Sequence, residues 1–262
     1  MKDFIIACQF LTRITINPTI EVSERDMATS TRMYPVVGFM IGALLTLIYL
    51  VFSWLLPLPT LTIAIFLIVA EVLLTGGLHL DGLMDCADGL LSYRPKERII
   101  AIMKDSTVGA NAVIALVSLL LVKTGLLVAL LPENYWILLL MPLVSRWTLL
   151  YVAVSYPYAG KEGSLGGTVI GQAGDKQYRV GTTYALLLSS LIGMLVLKVF
   201  DQALFSVFLT MTVLWLSAVF TAHLVANGAT RKIDGVTGDV LGAILEITEV
   251  MVLFIAVILI SI

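Results

Sequence analysis

Three aspartates stand close together in HLDGLMDCADG, residues 79–89, directly after the apolar run IFLIVAEVLLTGGL. On a helix Asp81, Asp85 and Asp88 fall at i, i+4 and i+7, within an arc of about 60° at ~100° per residue. Carboxylates that close cannot all ionise cheaply, so a bare stripe protonates or destabilises its helix. A hard divalent cation removes the conflict, and Mg²⁺ accepts carboxylate ligands while keeping waters and phosphate oxygens in its shell. The stripe therefore outlines a phosphate-handling metal site; the plainer account of the same spacing is a solvated first turn. His79 lies about 160° from the stripe on a straight helix. That suits a general base, a hydrogen-bond donor to phosphate or an interfacial polar residue.

A second acidic set occurs in TGDVLGAILEITE, where Asp239, Glu246 and Glu249 are spaced i, i+7 and i+10, an arc of about 80°. Thr237 or Asp239 is suited to cap that helix. Capping does not explain Glu246 and Glu249, which lie inside an apolar span where a charge needs a partner. Two facing stripes would form a polynuclear metal site, or a site where one stripe meets the cations drawn by the other.

Several basic groups are placed to meet phosphate. In MKDSTVG, Lys104, Asp105 and Ser106 precede a span whose helix N-terminus attracts anions, although Asp105 or Ser106 would also serve as a simple cap. Arg146 lies within a span and must pair or contact an anion, which makes it the leading intramembrane candidate. Lys123 is expected to pair or to snorkel; Glu71, mid-span, has no assigned partner. Gly82 and Gly89 leave room for close approach of a backbone or ligand. The two cysteines, Cys8 and Cys86, lack metal-ligand spacing and indicate neither a disulfide framework nor a zinc site.

These residues need a scaffold, and composition says which. The chain of 262 residues is 59% hydrophobic and 13% charged, with mean hydropathy +1.01, far outside soluble-domain usage. A net charge of −2 argues against a nucleic-acid binder with a basic surface. Seven windows approach the ~20 apolar residues a spanning helix needs: Val36–Leu56, Leu61–Leu78, Val108–Leu131, Tyr135–Val154, Thr182–Val199, Ala203–Val225 and Val240–Ile262. The turns PLPT, LPEN and FDQ make the helices flanking them antiparallel neighbours. An all-α polytopic bundle of about seven spans (six to eight) follows, as one integral membrane domain over residues 1–262. The start, MKDFIIACQFLTRI, lacks a cleavage pattern and reads as an interfacial helix at about residues 2–14.

Thirteen of the sixteen basic residues fall on one side of this arrangement, in the N-terminal segment and in the second-to-third, fourth-to-fifth and sixth-to-seventh connections. Lys198 falls on the other side, and Lys123 and Arg146 lie within spans. The bias places the N-terminus and every long polar loop in the cytoplasm. The glycine-rich loop from Tyr156 to Lys176, with Lys161 among its cations, matches no nucleotide-binding fingerprint and suits a substrate cover.

GGLHLDGLMDCADGL, MKDS with Gly109, SRW with PYA, and TGDVLGAILEITE together resemble the cobalamin synthase family, and the resemblance runs from about Thr12 and Arg13 through YPVVG to Glu249. It implies a Mg²⁺-dependent, multi-pass enzyme of the cytoplasmic (inner) membrane, its site facing the cytoplasm. The implied reaction joins adenosylcobinamide-GDP to α-ribazole or its 5′-phosphate and releases GMP. Residue by residue, His79, Asp81, Asp85 and Asp88 match the acidic signature, Asp105 the DS motif, Arg146 the span arginine, and Asp239, Glu246 and Glu249 the C-terminal signature. The expected metal ligands are Asp81, Asp85, Asp88, Asp239 and Glu246. His79 or a stripe aspartate is expected to take the proton, and Lys104, Asp105, Ser106, Arg146, Thr237, Gly238 and Glu249 are expected to meet substrate. Thr107 departs from the family pattern, where many members carry a cation. The lipid bilayer is an expected partner and nucleic acid is not; a homo-oligomer and association with other cobalamin-assembly enzymes stay open. Two other readings are a CDP-alcohol phosphotransferase, whose motif fails after Asp85-x2-Asp88-Gly89, and a cation or proton transporter, which would need carboxylates near mid-membrane.

Overall fold

The computed structural model describes residues 1–131, 133–160 and 165–260, which form helices and no strand. Lys161 and the end of the last window, Ile262, lie outside the described residues.

The first helix, α1 (Lys2–Leu11), buries Ile6, Ala7, Cys8 and Leu11. It stops earlier than the expected residue 14 because Thr12 is extended and its hydroxyl donates back to Cys8 O at 2.6 Å. A capping box between Ser23 and Asp26 opens α2 (Glu24–Ser30). A 3₁₀ turn, Thr31–Met33, then leads into α3 (Tyr34–Leu55).

The next two helices, α4 (Thr60–Thr75) and α5 (Leu78–Leu90), meet at a 92° bend. Gly76 and Gly77 make that bend with φ of +67° and +72°, the left-handed region that glycine enters without steric cost. The second apolar window therefore ends at Thr75 rather than Leu78. At about 24 Å, α4 is shorter than the ~30 Å hydrocarbon layer, so only with α5 does it make a broken span.

The rest of the chain comprises α6 (Lys96–Met103), α7 (Ala110–Leu130), α8 (Ile137–Ser155), the short α9 (Leu165–Val169), α10 (Asp175–Val199), α11 (Leu204–Ile233) and α12 (Gly238–Ile260). Among the described residues six segments are long and apolar enough to cross a membrane, residues 24–55, α7, α8, α10, α11 and α12, and the bent pair, taken as one span, brings the number to seven. The sixth window understated its helix, since α11 continues beyond Val225 to Ile233.

Helix α8 is buried along nearly its whole length, mostly by apolar side chains, and it packs against α3, α10, α11 and α12. Gly38 and Gly42, one GxxxG unit on α3, let the α3 and α8 backbones touch. A Cβ at Gly42 would lie 2.5 Å from Leu138 O. The α5–α12 contact is just as close: a Cβ at Gly82 would lie 2.8 Å from Asp239 O, and one at Gly242 3.0 Å from His79 O. Glycine at Gly82 and Gly242 thus sets the two acid-bearing helices backbone to backbone.

Candidate active site

The contact between α5 and α12 brings Asp81 and His79 to one cavity with Asp239, about 230 Å³ in volume, which Gly166 and Gly238 also line. Thr237 Oγ1 accepts the Val240 N–H at 3.3 Å and so caps α12. It also donates to Asp239 Oδ2 at 3.3 Å, which leaves the other Asp239 oxygen facing the cavity system. His79 is buried, and its Nδ1 has no hydrogen-bond partner. A buried imidazole nitrogen without a partner is an exception that calls for an explanation.

The stripe continues into a second cavity of about 310 Å³, lined by Asp81, Asp85, Asp88, Lys104, Asp105 and Ser106. Within it the aspartates have different surroundings. Among the described residues no hydrogen bond or ion pair meets the carboxylates of Asp81 and Asp85. Asp88 Oδ2 accepts the Gly109 N–H at 2.6 Å and Oδ1 accepts the Ala112 N–H at 2.9 Å. Asp88 is therefore the N-terminal cap of α7, reaching across from another helix, and its two oxygens are committed to backbone donors. The capping role weighed for Asp105 and Ser106 is overturned, because α7 starts later, after Gly109. Asp105 instead closes a local turn: its Oδ1 accepts the Thr107 N–H at 2.9 Å. Hydrogen bonds from Thr107 hold this carboxyl below its usual range.

The C-terminal stripe divides between two environments. Asp239 joins the cavity, whereas Glu246 and Glu249 point into a buried ionic cluster that spans α4, α7, α8 and α12. Lys123 Nζ donates to Glu71 Oε2 at 2.8 Å, bonds Glu249 and stands 3.6 Å from Glu246 Oε2. Arg146, fully buried, bonds Glu249 and lies 3.4 Å from Glu71 Oε1, while Ser145 Oγ donates to Glu249 at 3.0 Å. Glu71 thus has partners in Lys123 and Arg146, which sequence spacing cannot show. Arg146 meets the protein carboxylates of Glu249 and Glu71 here. Glu246 sits beside Lys123, and none of the cavities described above is lined by it.

The loop after α8 approaches the same end of the bundle. Tyr158 and Val236 form an isolated parallel bridge, with Ala159 N–H donating to Val236 O at 3.0 Å. A Cβ at Gly166 would lie 3.3 Å from Gly238 N. Residues 161–164 of the expected substrate cover lie outside the described residues.

Fold and site together define a polytopic α-helical membrane protein with a carboxylate-lined cavity system at one end of its bundle. The chain belongs to the cobalamin-5-phosphate synthase family, whose model matches residues 3–257. It is 34% identical to an adenosylcobinamide-GDP ribazoletransferase of Clostridioides difficile, over 97% of this chain and 96% of that one. Two further proteins of that name are similar: one from Clostridium botulinum, 36% identical over 97% of each chain, and one from Caldanaerobacter subterraneus, 35% identical over 96% of each. No solved structure matches the chain.

Proposed function

We propose that this protein transfers the cobinamide phosphate of adenosylcobinamide-GDP to a ribose hydroxyl of α-ribazole or its 5′-phosphate, releasing GMP. The observation that carries the reading is the convergence of Asp81, Asp85 and Asp239, carried on helices distant in sequence, around two cavities that share Asp81, one of them also lined by Lys104 and Ser106. The family and the names of its relatives supply the substrate class.

A metal fits this donor set. Asp81 and Asp85 are hard oxygen donors without a basic partner among the described residues, and one oxygen of Asp239 is free as well. Among the described residues no group of three or more His, Cys, Asp or Glu is placed to enclose an ion. That pattern suits Mg²⁺, which is ordinarily held by one or two carboxylates plus substrate phosphates rather than by a closed protein cage. We assign Asp81 and Asp85 as its holders, with Asp239 meeting either the ion or the substrate; Asp88 orients the start of α7, and Glu246 belongs to the Lys123 cluster. When bound, Mg²⁺ would neutralise charge on the diphosphate and on the departing nucleotide.

The remaining chemistry falls to side chains of the protein. The hydroxyl oxygen of α-ribazole bonds to the cobinamide-linked phosphorus, the bond from that phosphorus to the bridging oxygen breaks, and GMP leaves with the electron pair. We assign the hydroxyl proton to His79, which lines the cavity with Asp81 and Asp239. Lys104 and Ser106 meet phosphate oxygens from the α7 side. Such transfer depends mostly on positioning and electrostatics, which fixed helices supply.

The basic-residue bias supports a site open to the cytoplasm, in the inner membrane. A homo-oligomer and contacts with other cobalamin-assembly enzymes belong to the same proposal. The transporter reading loses its ground because the deep carboxylates Glu71 and Glu249 are paired with Lys123 and Arg146. Purified protein given adenosylcobinamide-GDP, α-ribazole and Mg²⁺ is expected to release GMP and form the joined cobalamin by mass. Cation flux in liposomes without GMP release would overturn the proposal.

A further inference from the structure

Asp81 also lines a third cavity, about 460 Å³, whose other polar lining includes Gln9, Thr12 and Arg13 from the N-terminal segment. Nothing in the spacing of the acidic stripes points to α1, some 70 residues upstream of them in the sequence. The segment is nevertheless anchored. The Arg13 N–H donates to Leu74 O at 2.7 Å, Thr12 Oγ1 accepts the Ile14 N–H at 3.1 Å, and Gln9 Oε1 accepts from Ile16 and Asn17. The Arg13 side chain lies flat across the α4–α5 bend: a Cβ at Gly76 would come within 2.8 Å of Cζ and 2.9 Å of Cδ. Gly76 therefore serves both the left-handed turn and the seat of this arginine.

Two other cations of the same N-terminal segment find acids, whereas Arg25 has none among the described residues. Arg32 Nε donates to Asp3 at 2.6 Å, and Lys2 pairs with Asp26 at 2.8 Å. Among the described residues Arg13 has no such partner, although the Asp81 carboxylate lines the same cavity. An exposed guanidinium and an exposed carboxylate on one cavity, neither with an ion-pair partner among the described residues, leave room for a group that both attract through different chemistry. A diphosphate is such a group: the guanidinium fork matches phosphate oxygens directly, and the carboxylate reaches them through a cation. Lys104 and Ser106 line another of the three cavities that Asp81 borders, so a diphosphate centred at Asp81 has a cation at two of them.

We infer that Arg13 binds the diphosphate of the nucleotide-activated substrate, making the N-terminal segment a wall of the active site. The inference rests on the transferase reading and specifies which side chain recognises the nucleotide end. Arg13→Gln is expected to raise KM for adenosylcobinamide-GDP about ten- to a hundredfold, the weight of a charge-assisted hydrogen bond. KM for α-ribazole should hold, and Arg13→Lys should fall between. A loss of packing alone would lower the amount of active protein without separating the two KM values. Equal KM values for wild type and Arg13→Gln would overturn the inference. A second measurement needs no variant: phenylglyoxal modification of Arg13 in the intact protein, read by mass spectrometry, should be slowed by GDP and not by guanosine. Unchanged labelling with GDP would also overturn the inference. Wild-type protein that releases no GMP would instead count against the transferase reading, and GDP protection would still decide the role of Arg13.

Discussion

Asp88 and Gly109 are joined by a 2.6 Å hydrogen bond from the Gly109 backbone N–H to the Asp88 carboxylate, which fastens the start of α7 to the acidic helix α5. Two aspartates three residues apart thus hold different positions: Asp85 faces the cavity without a partner, and Asp88 caps a helix. Asp88→Ala is expected to destabilise the protein by about 1–2 kcal/mol, with Asp88→Asn milder because one acceptor oxygen remains. Unfolding in detergent, followed by circular dichroism, checks this.

Asp85→Asn is expected to behave in the opposite way. Transfer should fall at least about 100-fold, since charge stabilisation at the reacting phosphate is lost. Stability should hold or rise, because removing one of several crowded carboxylates relieves repulsion. GMP release together with a melting curve separates the two aspartates. Asp85→Asn that retains full turnover would sink the metal assignment.

Removal of divalent ions with EDTA should abolish transfer, and added Mg²⁺ should restore it. GMP release before and after dialysis reads the effect directly. The fold should persist through the cycle, because a large buried apolar core holds the helices together.

The α5–α12 contact predicts a position-specific effect of alanine. Gly82→Ala would place a methyl 2.8 Å from Asp239 O. It should cost about 1–3 kcal/mol by overpacking and lower transfer by pushing Asp81 and Asp239 apart. Gly125→Ala, on α7 with nothing within 4 Å, should instead stabilise by about 0.5–1 kcal/mol. Parallel thermal melts and activities of the two variants test the pair.

The buried cluster predicts a large stability effect at Lys123. Lys123→Met leaves Glu71, Glu246 and Glu249 with Arg146 as their remaining cation, and about 3–5 kcal/mol should be lost. Adding Glu249→Gln should recover part of it. Measured unfolding of single and double variants gives the coupling.

The spans and their acidic signatures were readable because both rest on local pattern. Hydropathy marks α3, α7, α8, α10, α11 and α12, and helical periodicity puts Asp81, Asp85 and Asp88 on one stripe. What spacing could not show were relationships between elements. Asp88 reads as a third ligand until Gly109 and Ala112 are seen to occupy it. Glu246 and Glu249 plainly need cations in hydrocarbon, yet only packing shows that Lys123 and Arg146 supply them. Arg13 entered the sequence reading only as a cytoplasmic-side cation at the start of the family resemblance, because its place across Gly76 comes from packing. The 92° bend replaced what looked like a plain second span, and the GG pair in TGGL was its one local sign.

The buried ionic cluster also has a bearing on how the chain is made. Glu71 leaves the ribosome 52 residues ahead of Lys123, and an unneutralised acid at helix depth costs about 2.5–3.5 kcal/mol on insertion. Arg146 then follows with a second cation, and α12 brings Glu246 and Glu249, the latter 103 residues after Arg146. A nascent chain that ends before α12 therefore carries two cations against one acid in its greasy segments. Biogenesis is cheapest when α4, α7, α8 and α12 leave the insertion machinery as a set, so premature termination yields a product that quality control can recognise by its unmatched charge.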